Sequence, residues 1–317
     1  MDKFLIKTND GLPFYKKKLF WIISSSAIII IIIIIIIVAT VGSKEEQEEF
    51  VPYMCYDNNK KPSKNCLGGW FYKTTKYTPE YNAKFAQSKN WNFVLISLNE
   101  KSIKSVTENV NEFRKRDISV HIMILQDTKY LNDTQLAYDE TVEILNIINN
   151  NSLDVQGIHI DVEPHATYEW KSGDPELKKK VFQKYTEILE ICRKAINKYR
   201  PKTTFSAAVG WFYSARTRQN EIAGGRGYEL ANKDRLDFLV PMIYDGGEDA
   251  LKNIMSHSKD YINDNSNLII GLSVVKLGDN NINSMIEQVI ENRKNASCFY
   301  GIAVFSNHYY NNWGDEI

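Results

Sequence analysis

The sequence carries no surplus of charge of either sign: Lys and Arg number 39, Asp and Glu 39, and the formal net charge is zero. A nucleic-acid binder needs a basic face to neutralise phosphates, so no nucleic acid is expected as a partner. Cysteine is scarce, with 4 residues, and so is histidine, with 5. None of them falls into the Cys/His spacing that holds zinc, and neither a metal nor another cofactor is expected. A glycine-rich phosphate loop after the first strand-like run is also missing, which argues against a doubly wound nucleotide-binding sheet. In 317 residues there is room for one large domain plus extras, not for two full-sized enzymes.

What the sequence does have is one long apolar run. Leu19–Val41 contains no charged residue and includes ten consecutive isoleucines, Ile28–Ile37. As a helix it would extend about 34 Å, enough to cross the hydrocarbon core of a bilayer. Lys16, Lys17 and Lys18 precede it, and Lys44, Glu45, Glu46, Gln47, Glu48 and Glu49 follow it. The positive flank predicts a cytoplasmic N-terminus. The run is too long for the apolar region of a cleaved signal peptide, so a signal-anchor in a single-pass type II protein is the expectation. The predicted organisation is a cytoplasmic tail over 1–18, a transmembrane helix over 19–41, a polar juxtamembrane stalk over 42–66 and a folded domain over 67–317. In that setting Cys55 and Cys66 are candidates for a short disulfide loop that stabilises the stalk. Cys192, in the apolar-periodic run ILEICRKAI, reads as a buried free thiol. The sequons at Asn132, Asn150 and Asn295 fit a lumenal or extracellular glycoprotein.

Beyond the stalk, short β-branched or aromatic runs alternate with stretches of helical period. The predicted strands are Trp70–Tyr72, Phe93–Leu98, Ser119–Leu125, Val155–Glu163, Thr204–Trp211, Asp237–Tyr244, Leu268–Val274 and Tyr300–Ser306. Helices are predicted over Ser102–Lys115, Thr134–Ile148, Asp249–Asn263 and Asn283–Lys294. The longest is expected to start at Asp174-Pro175-Glu176, where N-cap, first-turn proline and first-turn acid coincide, and to run to Tyr199. Eight such units predict an α/β fold, a (β/α)8 barrel with its chemistry at the C-terminal ends of the strands.

The fourth strand reads Val155-Gln-Gly-Ile-His-Ile-Asp-Val-Glu-Pro164. Strand side chains alternate, so His159, Asp161 and Glu163 share one face, and Ile158, Ile160 and Val162 share the other. The apolar face suits the helix layer, which sends the ionisable face into the barrel. No Lys or Arg lies inside the predicted strands to pair with it. Two carboxylates at i and i+2 titrate as a coupled pair, in which one stays ionised while the other holds a proton. The sixth strand adds Pro241-Met-Ile-Tyr-Asp245, with Met242 and Tyr244 on one face and Asp245 at the strand end before Gly246-Gly247.

These two segments resemble the family 18 glycoside hydrolases, which include the chitinases. That family carries Asp-x-x-Asp-x-Asp-x-Glu on the fourth strand and Met-x-Tyr-Asp on the sixth. Gly157, Asp161 and Glu163 match the first pattern, and Met242, Tyr244 and Asp245 match the second. Phe305 stands where the family often has a Trp at the end of the eighth strand. The similarity in layout runs from about Gly69 to Trp313. Gln156 and His159 occupy the first two Asp positions of the fourth-strand motif, and His121-Ile-Met-Ile-Leu125 stands in place of the Gly-rich third-strand motif.

The resemblance implies a retaining, substrate-assisted glycosidase acting on N-acetylhexosamine glycans. Glu163 would protonate the glycosidic oxygen. Asp161 would hold the acetamido nitrogen while the acetamido oxygen attacks the anomeric carbon. Tyr244 and Asp245 would hold the acetamido group, with Met242 and His159 also in the binding site. Phe305, Trp211 and Trp70 would stack on sugar faces. Three alternatives stay open: Glu163 and Asp245 as a conventional acid and nucleophile on another sugar, a glycan-binding lectin that has lost turnover, and a membrane-tethered scaffold.

Overall fold

The apolar alternation of the sequence becomes eight parallel strands that close on themselves in chain order. They are β1 (Cys66–Phe71), β2 (Phe93–Ser97), β3 (Ser119–Ile124), β4 (Gly157–Ile160), β5 (Thr204–Gly210), β6 (Phe238–Met242), β7 (Leu268–Ser273) and β8 (Phe299–Phe305). The seam between β1 and β8 runs from Cys66 opposite Gly301 to Gly69 opposite Val304. This computed structural model describes residues 30, 33, 50–57, 59–97, 103–214, 224–232 and 234–310.

The helices that separate the strands include α1 (Pro79–Ser88), α2 (Ile103–Arg114), α3 (Thr134–Asn150), α4 (Pro175–Tyr199), the single turn α5 (Gly227–Leu230), α6 (Ala250–Asn263) and α7 (Asp279–Arg293), with further single turns at Tyr168–Lys171 and Val274–Leu277. The start of α4 follows the sequence reading: the Asp174 carboxylate accepts from Glu176 N and Leu177 N, with Pro175 in the first turn. Helix α1 is an element the sequence reading did not include. Thr78 caps it by accepting from Tyr81 N. With only Ala83, Phe85 and Ala86 as its buried apolar residues, it shows a weak periodicity. Cys192 is buried and unbridged, as expected, beside the Thr141 hydroxyl at 3.3 Å.

The barrel sorts side chains by strand face. Ile158, Ile160 and Val162 of the fourth unit pack outward against the helices. The interior is a second apolar cluster built around Trp70, Phe93, Leu95, Met123, Phe238 and Val240. Two histidines share this interior, both fully buried. Burial pushes His121 down to about 4 and His159 down to about 3, so both are neutral at physiological pH. His121 takes the space that a side chain at Gly157 would fill: a Cβ there would lie 2.0 Å from His121 Nδ1.

The chain divides into two units, Met1–Phe50 and Val51–Ile317. The first contains the expected span Leu19–Val41, which apart from Ile30 and Ile33 lies outside the described residues, as do the tail 1–18 and residues 42–49. Among the described residues no helix is long and apolar enough to cross a membrane. The expected stalk over 42–66 needs a correction at its C-terminal end. From Val51 onward the chain belongs to the barrel unit. Met54 and Cys55 are fully buried in the interior cluster, at the end of the barrel opposite the β4 carboxylates. Met54 O lies 2.9 Å from His121 Nε2, and Tyr53 exchanges two hydrogen bonds with Thr204. Cys55 and Cys66 form the expected disulfide, but it ties this plug to the first residue of β1.

The position of the bridge changes what its loss should do. Closing a loop of 11 residues is worth about 2–3 kcal/mol in the chain-entropy model. For a domain of this size that corresponds to a fall in Tm of about 5–10 °C. We expect Cys55→Ser to lower the Tm of the barrel itself by that amount in calorimetry. A fragment starting at 67, which lacks the plug, should lose considerably more.

Candidate active site

Strand β4 brings its carboxylates to the open end of the barrel. The last residue in the ladder is Ile160, but Asp161 N still donates to Ile124 O at 3.3 Å, so the chain follows β3 one residue further. Pro164 then starts a short turn, Pro164–Ala166, and keeps the preceding Glu163 extended, at φ −106° and ψ 88°. Alternation therefore persists through Glu163, and His159, Asp161 and Glu163 rise in steps along one inward face.

Asp161 is half-buried among aromatic rings. Tyr72, at the end of β1, donates its hydroxyl to Asp161 Oδ2 at 2.8 Å. Burial pushes the Asp161 carboxyl up to about 6, helped by the negative charge of Glu163 and opposed by the Tyr72 bond and His165. Burial also raises Glu163, which is 40% exposed. His165 Nε2 stands 3.7 Å from Glu163 Oε2, and burial holds that imidazole below its ordinary value. The Tyr244 phenol is held well above the ordinary range by burial, with the charges of Asp161 and Glu163 adding to the effect. It stacks on Phe305, ring centroids 5.1 Å apart. Beneath them the Trp70 indole meets His159, Tyr244 and Phe305 edge-on at 6.1, 6.4 and 6.2 Å.

Two cavities open over this floor. One, of about 540 Å³, is bordered by Tyr72, Gln126, Asp127, Thr128, Asp161, Glu163, Ala166, Phe305 and His308. The other, of about 260 Å³, is bordered by Glu163, His165, Gly210, Trp211, Phe212, Met242 and Tyr244. Glu163 borders both.

Of the residues singled out in the sequence, the barrel mouth gathers Asp161, Glu163, Tyr244, Met242, Phe305 and Trp211. Three are placed differently. Trp70 is 1% exposed and borders neither cavity, so it forms the floor and offers no face to a ligand. His159, expected as a substrate contact, is fully buried one layer below Asp161, where its Nδ1 lies 2.9 Å from Ser206 Oγ. Asp245 also borders neither cavity. Strand β6 ends at Met242, and the Asp245 carboxylate accepts from its neighbour Gly246 N at 2.8 Å. Gln156 is structural: its side chain accepts from Val120 N and donates to Asp154. Tyr72 and His165 also belong to the mouth, though neither was among the site residues expected from the sequence. Alternation from Trp70 would have placed Tyr72 on the inward face of β1, and His165 directly follows the motif.

No family model and no curated protein matches the chain. Solved structures do. An exo-beta-1,4-mannosidase from Opitutaceae bacterium strain TAV5 is similar at a TM-score of 0.54 and 9% identity, over 79% of this chain and 53% of that one. A GH5-4 broad-specificity endoglucanase from Clostridium acetobutylicum is similar at 0.52 and 14%, over 75% and 86%. Fungal beta-1,4-galactanases are similar at 0.51 and 13%, over 75% and 83%. The chain spans about half the length of the mannosidase. At these identities the likeness shows the fold: a (β/α)8 barrel of the kind on which these glycoside hydrolases are built. None of these neighbours carries the likeness to family 18.

The raised Asp161 has a stability consequence with a definite sign. Its folded pKa, about 6, exceeds the ordinary 3.8. The stability it contributes is therefore complete below pH 3.8 and is lost as pH rises through 6. Asp161→Asn removes the ionisation and keeps an acceptor for Tyr72. We expect the variant to be more stable than the wild type at pH 7.5, by on the order of 2 kcal/mol or a few degrees in Tm. The difference should close below pH 4. Thermal melts across pH 4–8 would check both the direction and the window.

Proposed function

We propose that this chain is a membrane-anchored glycoside hydrolase that cleaves N-acetylhexosamine-containing glycans with retention, Glu163 acting as the general acid. The observation that carries the reading is the position of Glu163 on the border of both cavities, one inward step above a second carboxylate, Asp161, that burial raises to about 6. A sugar chain lying across both cavities brings its glycosidic oxygen to Glu163. Asp161, one step deeper, is placed to hold an acetamido N–H. Its ionised form supports the cyclic cation that develops as the acetamido oxygen attacks. Tyr244 borders the smaller cavity and Phe305 the larger one.

Proton supply follows from burial. In the empty site burial raises both acids, Asp161 to about 6 and Glu163 above its ordinary range. A bound glycan covers the more exposed Glu163, strips its water and favours its protonated form. Binding thereby moves the proton towards the group that must deliver it. A conventional acid–nucleophile pair of Glu163 and Asp245 is the weaker reading, because Asp245 does not border the cleft.

A lectin is the second reading, favoured by one feature. The residue beneath Asp161 is His159, neutral and wholly buried, and so supplies no charge to the pair. Anchoring through Leu19–Val41, with the barrel outside the cytoplasm, is part of the proposal. The Cys55–Cys66 bridge supports an oxidising compartment. The exposed sequon asparagines 132, 150 and 295 are accessible to glycosylation there.

Glu163→Gln should lower hydrolysis of the responsive glycan by about 100- to 10,000-fold while leaving binding intact. Asp161→Asn should also slow turnover, and Tyr244→Phe less so. The wild-type kcat/KM should fall on the alkaline side as the free Glu163 loses its proton, at a pH above the ordinary carboxylate range because burial raises it. The falling limb of kcat should lie at higher pH, because substrate covers Glu163. Kinetics of the full-length protein across a glycan panel test all of this. Tight binding without turnover on any glycan would leave the lectin.

A further inference from the structure

His165 is set beside Glu163 by the turn that follows the carboxylates. In the turn Pro164–Ala166, Ala166 N donates to Glu163 O at 3.0 Å, and the Thr167 hydroxyl donates to Pro164 O at 2.8 Å. The His165 ring packs edge-on against Phe212, centroids 5.5 Å apart, and Phe212 packs in turn on Trp170 at 4.9 Å. The imidazole is thus held by its own turn and by a neighbouring ring. Its side chain is still 32% exposed, and it borders the smaller cavity, as Glu163 does.

Two features fix how it faces the carboxylate. Its Nδ1 is buried and has no hydrogen-bond partner among the described residues. Buried N–H groups are left unpaired more rarely than buried acceptors, so the ring proton belongs on Nε2. Nε2 stands 3.7 Å from Glu163 Oε2. That is too long for a direct hydrogen bond and suits one water held between the two groups. Burial keeps the imidazole below its ordinary range, so at pH 7 the ring is neutral and sets no positive charge against Glu163.

We infer that His165 is a catalytic residue of the second step: with Glu163 it holds the water that attacks the anomeric carbon once the leaving sugar has departed. This rests on the reading of Glu163 as the acid. The water oxygen bonds to the anomeric carbon, and the bond from that carbon to the acetamido oxygen breaks, its electron pair returning to the acetamido group. The water's proton passes to the Glu163 carboxylate and restores the acid. His165 neither gains nor loses a proton; its Nε2–H donates to the water oxygen and fixes its place. A sugar arriving instead of water is oriented by the contacts of its own ring, which water lacks. His165 therefore sets the balance between hydrolysis and transfer to a second sugar.

The test uses the full-length protein, the 4-nitrophenyl glycoside of an N-acetylglucosamine dimer, and an N-acetylglucosamine oligomer added as acceptor. Nitrophenol release reports cleavage, and chromatography of the sugars gives the ratio of transfer to hydrolysis. His165→Phe keeps a ring against Phe212 and removes the donor. We expect it to raise that ratio about tenfold, the worth of one positioning hydrogen bond. Its kcat/KM, which reports the steps up to loss of nitrophenol, should fall by less than about threefold. His165→Gln, which keeps an N–H, should bring the ratio back towards the wild type. The ratio belongs to the intermediate and is readable at whatever activity a variant retains. An unchanged ratio in His165→Phe, with or without a fall in kcat/KM, would overturn the role of His165 and leave the reading of Glu163 standing. No cleavage of this substrate by the wild type would overturn both.

Discussion

The mouth of this barrel depends on the cost of keeping one carboxylate, Asp161, among aromatic rings. Burial removes most water from its charge, and among the described residues the Tyr72 hydroxyl donates to it at 2.8 Å. The surroundings are arranged around that cost. Trp70 seals the floor, and His159 beneath it stays neutral. Met54, tied in by the Cys55–Cys66 bridge, closes the far end of the barrel. A charge held this way ionises late and pulls strongly on nearby positive charge, because little water screens it. The price is stability, which a site optimised for folding alone would not give up.

The parts of this arrangement that lie within one element were legible in the sequence. Alternation along β4 put Ile158, Ile160 and Val162 towards the helices and His159, Asp161 and Glu163 inside. The Asp174-Pro175-Glu176 start marked α4 to the residue. The parts that depend on closure of the barrel were not legible. The Tyr72–Asp161 bond joins residues 89 apart, and nothing local to β1 announces it. Trp70 looked like a ligand platform, yet its position one layer down makes it floor. Asp245 was placed at the end of a strand predicted to run to Tyr244, but the ladder ends at Met242. The polar composition of 51–65 hid the two residues, Met54 and Cys55, that insert into the barrel.

The motif resemblance and the structural neighbours bear on different levels. The neighbours share a barrel at 9–14% identity and speak to architecture. The fourth- and sixth-strand residues speak to chemistry, and their geometry is specific: two carboxylates in step, the outer one on the border of two cavities, the inner one held by a phenol. Fold alone does not choose a sugar. The choice proposed here comes from the motif resemblance at Asp161, Glu163, Met242, Tyr244 and Asp245.

The central claim is that the substrate's own acetamido group, and not a second carboxylate, attacks the anomeric carbon. The most direct measurement follows the anomeric configuration of the first-formed product by proton NMR. It uses a cleaved oligosaccharide and a matched one in which hydroxyl replaces the acetamido group. The account predicts retention with the first and a rate lower by several orders of magnitude with the second. Inversion, or comparable rates on the two substrates, would contradict it.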